Sequence, residues 1–226
     1  MRAFQKCGKE KRKAIRYSLD AENALTMYRM PVWIFTIAQH QPDKHYVMSN
    51  KYMKISLRDY LIRYWKKEDA PTIAKYANNR KIWLNLRDCF PHPYHLSDAE
   101  DFLTKVFKQQ PVTFFAIANE KEAIGSIGLM LGEDIHRYTA ELGYWLAEPF
   151  WNKGIMTDVV NKFTDFSFER FELNRIFAEP YTNNTASVRV LEKSRFILEG
   201  TLRGNVFKNG KILDQYLYAK IRDETT

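Results

Sequence analysis

Lys153 and Gly154 mark the place in this 226-residue chain where residue types first suggest chemistry. Before them runs an apolar and aromatic stretch, residues 139–147, with the pattern of a strand. Pro149 ends that strand, because proline has no N–H to give to a central ladder. After them Ile155, Val159, Phe163 and Phe166 fall at helical spacing, with Met156 and Val160 alongside. A helix therefore begins at Gly154. The first four amides of a helix have no internal partner, and the helix dipole makes that end partly positive. A glycine there lets the backbone approach a ligand closely, and Lys153 adds a full charge. Such a site suits a phosphate or pyrophosphate. One glycine alone is a weak signal, since many helices start this way and bind nothing.

The next stretch strengthens it. A second strand, residues 175–181, is followed by Asn184, an ideal helix N-cap, with Ser187 three residues on. Nothing in the chain forms a Ser-His-Asp or Cys-His signature, and Cys89 has no partner in view. His92 and His95 stand three apart across Pro93, but no acidic or cysteine partner clusters with them. They read as solvated loop histidines, and no metal site is expected.

Three runs carry a resemblance. They are Glu-Leu-Gly-Tyr-Trp-Leu at 141–146, Phe-Trp-Asn-Lys-Gly-Ile-Met-Thr at 150–157, and Asn-Asn-Thr-Ala-Ser-Val-Arg-Val-Leu-Glu-Lys-Ser-Arg-Phe at 183–196. Together they resemble the GNAT N-acetyltransferases, specifically the RimJ/RimL-like branch, over about residues 53–221. The resemblance implies an acyltransferase that moves an acetyl group from acetyl-CoA directly to a primary amine in a ternary complex, without a metal. No protein nucleophile is needed if the amine attacks directly.

The same resemblance assigns roles. Backbone amides of Trp151, Asn152, Lys153, Gly154, Ile155 and Met156 would anchor the pyrophosphate. The family pattern there is Gln/Arg-x-x-Gly-x-Gly/Ala. Gly154 matches it; Trp151 and Met156 do not, and Met156 puts bulk where a small residue permits close approach. Trp145, Leu146 and Ala147 would pair with the pantetheine arm, one of their amides serving as oxyanion donor; the plain reading of their side chains is core packing. Glu141 is the candidate general base, directly or through water. Such a base works best when burial raises its pKa from about 4.3 towards neutrality. Glu141 reads equally well as a strand carboxylate paired with a basic neighbour. Asn184 would contact the cofactor arm while capping its helix. Ser187 and Tyr181 compete as the acid for the leaving thiolate, and Tyr181 also reads as a packing aromatic. The acceptor would approach from residues 80–96 and 203–211, where Trp83, Arg87, Phe90, His92 and Tyr94 could line it. Residue types do not say whether that acceptor is a protein N-terminus or a small-molecule amine.

Two other readings stay open. Trp151 and Met156 fit a GNAT-shaped CoA-binding module that has lost catalysis. A basic N-terminal arm fits an RNA- or ribosome-associated protein.

Composition bounds these choices. The chain is 45% hydrophobic and 15% aromatic, enough to build a core. No apolar run approaches the roughly 20 residues that span a bilayer. The stretch 30–38 is too short, and Arg29 interrupts any longer signal-like segment. Cys7 and Cys89 are far apart, without disulfide or metal spacing, so a reducing, cytoplasmic setting is the simplest reading. No membrane partner is expected, and a homodimer is compatible with the sequence. The net charge is +8. Residues 1–52 hold ten basic and four acidic side chains, a net of +6, which leaves +2 for the rest. A nucleic-acid partner therefore rests almost wholly on that segment and is not the favoured one.

Two parts follow: a basic extension, 1–52, and a GNAT domain, 53–226. The extension reads as a flexible tail, an added helix and strand, or translated upstream sequence with Met53 the native start. Within the domain the expected elements are a strand at 57–66 and a helix that Asp69 caps and Pro71 opens, ending near Asn79. A short helix and loop over 80–94 and a helix after a Ser97…Glu100 capping box come next. A hairpin follows, with strands at 112–119 and 123–131. After the strand, loop and helix described above, strands at 197–203 and 212–221 enclose Asn209-Gly210, a strong hairpin signal. The order β–α–α–β–β–β–α–β–α–β–β fits an α/β (α+β) fold with a central mixed, mostly antiparallel sheet and helices on both faces, which is the GNAT acyl-CoA N-acyltransferase fold the resemblance implies.

Overall fold

A computed structural model describes residues 54–222. The readings of residues 1–52 lie outside them.

Strands β1 (Lys54–Leu57) and β2 (Tyr60–Arg63) pair antiparallel about Arg58-Asp59. The single strand expected at 57–66 is thus a hairpin that starts three residues earlier. Asp and its neighbour suit a tight turn, and four-residue strands are too short to show a period. Beyond Arg63 the chain leaves the sheet. Asp69 accepts from both terminal nitrogens of Arg63, at 2.7 and 2.8 Å, and from the Lys66 N–H at 2.8 Å. Asp69 is therefore no side-chain cap for α1 (Ala70–Ala77), contrary to expectation, although Pro71 does sit in the first turn. Its carboxylate is spent on a buried ion pair.

Asn79 caps the short α2 (Arg80–Trp83) through its side-chain oxygen. The next helix, α3 (Leu96–Lys108), starts two residues before the expected box: His95 is the N-cap and Asp98, not Glu100, accepts its N–H at 2.7 Å. That start turns Ala99, Leu103 and Val106 inward.

Strands β3 (Phe114–Ala118) and β4 (Ala123–Leu131) form the expected hairpin, closed by the Asn119 N–H on the Glu122 carbonyl at 3.0 Å. Then come β5 (Thr139–Leu146), α4 (Ile155–Arg170), β6 (Arg175–Ala178), α5 (Thr185–Lys193), β7 (Ile197–Lys208) and β8 (Lys211–Ile221). Asn209 and Gly210 both take positive φ, 48° and 77°, the backbone a two-residue hairpin turn requires. β7 runs five residues past its expected end. β6 stops at Ala178, and Tyr181 makes only an isolated bridge to Gln215.

The sheet order is β1-β2-β3-β4-β5-β6-β8-β7. Every pairing is antiparallel except β5 with β6. Alternate side chains of the strands build two cores, one on each face. Ile117, Leu142 and Leu146 pack with Val159, Phe163 and Leu191 of α4 and α5. Ala116 and Trp145 pack on the other face with Ile73 of α1 and Leu103 of α3. Among the described residues no helix is long and apolar enough to cross a membrane.

One register feature matters most. β5 keeps its pairing with β4 to the end, Leu146 opposite Gly125. It pairs with β6 over only three residues, 139–141 against 175–177. Past Glu141 and Phe177 the two parallel strands part.

Candidate active site

Hydrogen-bond parity decides which backbone groups face that opening. The Gly132 N–H donates to the Thr139 carbonyl at 2.8 Å and the Ala147 N–H to the Ile124 carbonyl at 2.8 Å. In an antiparallel pair these bonds recur at every second residue. Odd-numbered residues of β5 therefore direct their main-chain groups at β4, and even-numbered ones face the side that β6 has left. Of the three residues expected along the pantetheine arm, only Leu146 offers its N–H to the opening. Those of Trp145 and Ala147 are turned to β4, which corrects the expectation for them. Tyr144, which the sequence reading passed over, joins Leu146 there; neither N–H finds an acceptor among the described residues. The Trp145 side chain does what was expected of it and packs edge-on to Phe90, at 6.1 Å.

The opening leads to the start of α4. Gly154 has φ 76° and no side chain caps the helix. A Cβ at Gly154 would meet nothing within 4 Å, so the left-handed backbone, rather than crowding by the protein, requires glycine there. Asn152 is left-handed too, at φ 60°. Met156 is buried in the α4-side core. It packs among core side chains and also borders the cleft. Trp151, where the family has Gln or Arg, donates its indole N–H to the Leu146 carbonyl at 2.6 Å. That ties the loop to the strand it follows. Its main-chain N–H goes to the Glu148 carbonyl at 3.1 Å, which corrects the expectation that this amide joins the anchor.

A cleft of about 1710 Å³ runs over these groups, lined by the 151–157 loop, the free side of β5 and residues 178–187. An elongated ligand with an anionic head fits this arrangement: bare amides and Lys153 at one end, free strand amides further on.

On the far wall Asn184 caps α5 as expected, accepting from the Ser187 N–H at 3.2 Å. The Ser187 Oγ lies 2.8 Å from the Tyr144 hydroxyl. Burial pushes the Tyr144 phenol above its ordinary range, against a smaller opposing pull from that hydrogen bond. Tyr144 therefore stays protonated and can donate. Tyr181 is 8% exposed and donates to the Leu86 carbonyl at 3.3 Å. Burial and then Asp88 raise its pKa, while Arg87 lowers it.

Nη2 of Arg87 lies 2.6 Å from both carboxylate oxygens of Glu141, so the basic neighbour is there. Just past β6 stands Glu179, a carboxyl whose pKa is raised. Burial raises its pKa first and the charge of Glu141 second; Arg87 opposes both. Nothing in residue spacing marks Glu179. Only the parting of the strands brings it to the same cleft as Glu141. Of the residues expected near the acceptor, Arg87, Phe90 and Tyr94 line the cleft, whereas Trp83 and His92 stack on each other at 5.6 Å.

Comparison with known proteins agrees with this geometry. Residues 59–197 match the family model described as "Acetyltransferase (GNAT) domain". The chain is 29% identical to the uncharacterized N-acetyltransferase p20 of Bacillus licheniformis over 178 residues, 76% of this chain and 91% of that protein. It is 35% identical to the ribosomal-protein-serine acetyltransferase of Escherichia coli over 109 residues, 48% of this chain and 60% of that protein. Among solved structures, RimL, a ribosomal L7/L12 alpha-N-protein acetyltransferase in complex with coenzyme A, shares the fold with a TM-score of 0.68. That likeness covers 76% of this chain and 99% of RimL at 22% identity. A family match over more than half the chain, on a sheet that opens where such a cosubstrate needs it, makes this protein a member of the GNAT acetyltransferase family and an acetyl-CoA-dependent N-acetyltransferase.

Proposed function

We propose that the protein acetylates the N-terminal amine of a protein, by direct attack on acetyl-CoA in a ternary complex. One observation carries this: the free amides of Tyr144 and Leu146 lie in the opening between β5 and β6, which runs into the uncapped start of α4. The amides of residues 152–156, with Lys153, hold the diphosphate. The Leu146 N–H is the donor for the developing oxyanion. Asn184 borders the arm while it caps α5. Acetyl-CoA supplies the activated acyl carbon; the chain supplies orientation and proton transfer.

Glu179 takes the first proton from the incoming ammonium, beside Glu141, which Arg87 holds. The amine nitrogen then bonds to the carbonyl carbon and the C–S bond breaks. The nitrogen, now positively charged, loses its second proton to the Ser187 hydroxyl as that hydroxyl, hydrogen-bonded to Tyr144, gives its own to the leaving thiolate; Tyr181 is the competing donor. A raised carboxylate base suits an α-amine, whose ordinary pKa is about 7.7–8.0, better than a lysine amine near 10.4. The ribosomal-protein acceptors named for the relatives point the same way.

The test is thiol release from acetyl-CoA with three acceptors: a peptide with a free N-terminal serine, the same peptide blocked at its N-terminus but carrying a lysine, and spermidine. Both the full chain and the version starting at Met53 are assayed. Release with the free N-terminus and little with the other two is expected. Binding of acetyl-CoA with no release to any amine would favour the CoA-binding module instead.

A further inference from the structure

Lys208 is the last residue of β7, next to the Asn209-Gly210 turn. A lysine at a hairpin tip ordinarily extends into water, yet Lys208 is 3% exposed. Its ammonium lies 4.1 Å from the centre of the Trp83 ring and 2.8 Å from Oδ1 of Asp88. An ammonium is costly to bury unless other groups replace its water. Here a ring face and a carboxylate do so.

Both partners belong to one segment, α2 and the loop after it, residues 79–88. That segment borders the acceptor end of the cleft through Leu86 and Arg87. Only Ile82 of α2 is buried, so apolar packing anchors it weakly. Polar contacts hold it elsewhere. Asn79 and Lys81 meet Glu148, the Leu86 carbonyl accepts from Tyr181, and Arg87 meets Glu141.

We propose that Lys208 is a positioning residue for the amine acceptor. It pins residues 79–88 to the β7–β8 hairpin and thereby sets Arg87 against Glu141 and Leu86 against Tyr181. This rests on the acceptor entering at that end of the cleft. Lys208 touches no group assigned to acetyl-CoA, so its loss separates the two substrates.

The full chain is compared with K208M, K208R and D88N. K208M keeps the apolar stem and removes the charge. K208R keeps a cation that can meet both partners. D88N alters a side chain that is 73% exposed, so the fold tolerates it. Amide hydrogen exchange and acceptor kinetics are read together. K208M and D88N are expected to speed exchange across residues 79–88 by about tenfold and leave 139–157 unchanged. The acceptor-peptide KM rises about five- to tenfold, the acetyl-CoA KM stays within about twofold, and K208R stays near the wild type. Unchanged exchange at 79–88 in D88N and K208M overturns the proposal. So does an equal increase over the whole domain, which is loss of stability alone. Should the wild type acetylate no amine, the exchange data still decide the pinning, and the failure belongs to the proposed acceptor.

Discussion

The hydroxyl of Tyr144 lies 2.8 Å from the Oγ of Ser187 and joins the free side of β5 to the first turn of α5 across the cleft. A serine hydroxyl rotates freely, and this contact orients it. If the two act as one proton-donating unit, their effects do not multiply. Ser187→Ala is expected to lower kcat about tenfold, because a positioned acid is worth at least that much. Tyr144→Phe lowers it about three- to tenfold, and the double variant is no slower than S187A. A double-mutant cycle on kcat checks this; strictly multiplicative losses would separate the two residues.

As the proposed base, Glu179 is expected to control the acidic limb of the pH profile. Its folded pKa is raised, by burial first and Glu141 second. A base must be ionised to work, so kcat/KM rises with pH through that raised value and then levels. Glu179→Gln abolishes the limb and lowers the rate about 10²–10⁴-fold. Linkage has the opposite sense for stability. The fold binds the Glu179 proton more tightly than the unfolded chain does, so stability falls as pH rises between the unfolded and folded pKa values. The Gln variant then unfolds at a higher temperature than the wild type at neutral pH. Equal profiles for E179Q and wild type would assign the base elsewhere.

Gly154 separates binding from folding. Its φ of 76° costs an alanine about 1–2 kcal/mol, but the added Cβ meets no protein atom. Gly154→Ala therefore lowers the melting temperature by only a few degrees. Its acetyl-CoA Kd rises by about tenfold or more if a diphosphate rests on these amides. Calorimetric titration alongside thermal melts reads both effects.

Much of the fold was legible, for local reasons. Asn209-Gly210 announces a hairpin because both residues tolerate positive φ, and they adopt it. Pro149 and Gly154 mark the strand-to-helix passage because one lacks an N–H and the other can be left-handed. What stayed hidden depends on tertiary placement. Asp69 looked like a cap, and only the fold shows Arg63 claiming its carboxylate. Tyr144 acquires its place from the register of β5 on β4, which no residue type reveals. Glu179 and Lys208 are ordinary surface types whose environments are set by residues far away in sequence. Met156 departs from the family pattern, and only the fold shows that it packs in the core while bordering the cleft.

The Arg63–Asp69 pair gives a stability prediction independent of catalysis. Both side chains are largely buried, at 16% and 7% exposure. Arg63→Met leaves a buried carboxylate without its partner and costs about 3–5 kcal/mol. Replacing both, as R63M/D69L, recovers most of the loss, since an apolar pair of similar volume can replace a buried ion pair. Urea unfolding of the three proteins is the measurement. A double variant as unstable as R63M would mean that the hydrogen bond of Asp69 to the Lys66 N–H carries the stability instead.

We propose that acetyl-CoA binds at the amides in the β5–β6 opening and at the start of α4, and residue-resolved amide exchange tests this most directly. With saturating acetyl-CoA, the N–H groups of Tyr144, Leu146 and residues 153–156 should be protected, while Trp145 and Ala147, already bonded towards β4, change little. Protection confined to other parts of the sheet, or none at millimolar acetyl-CoA, would contradict the account.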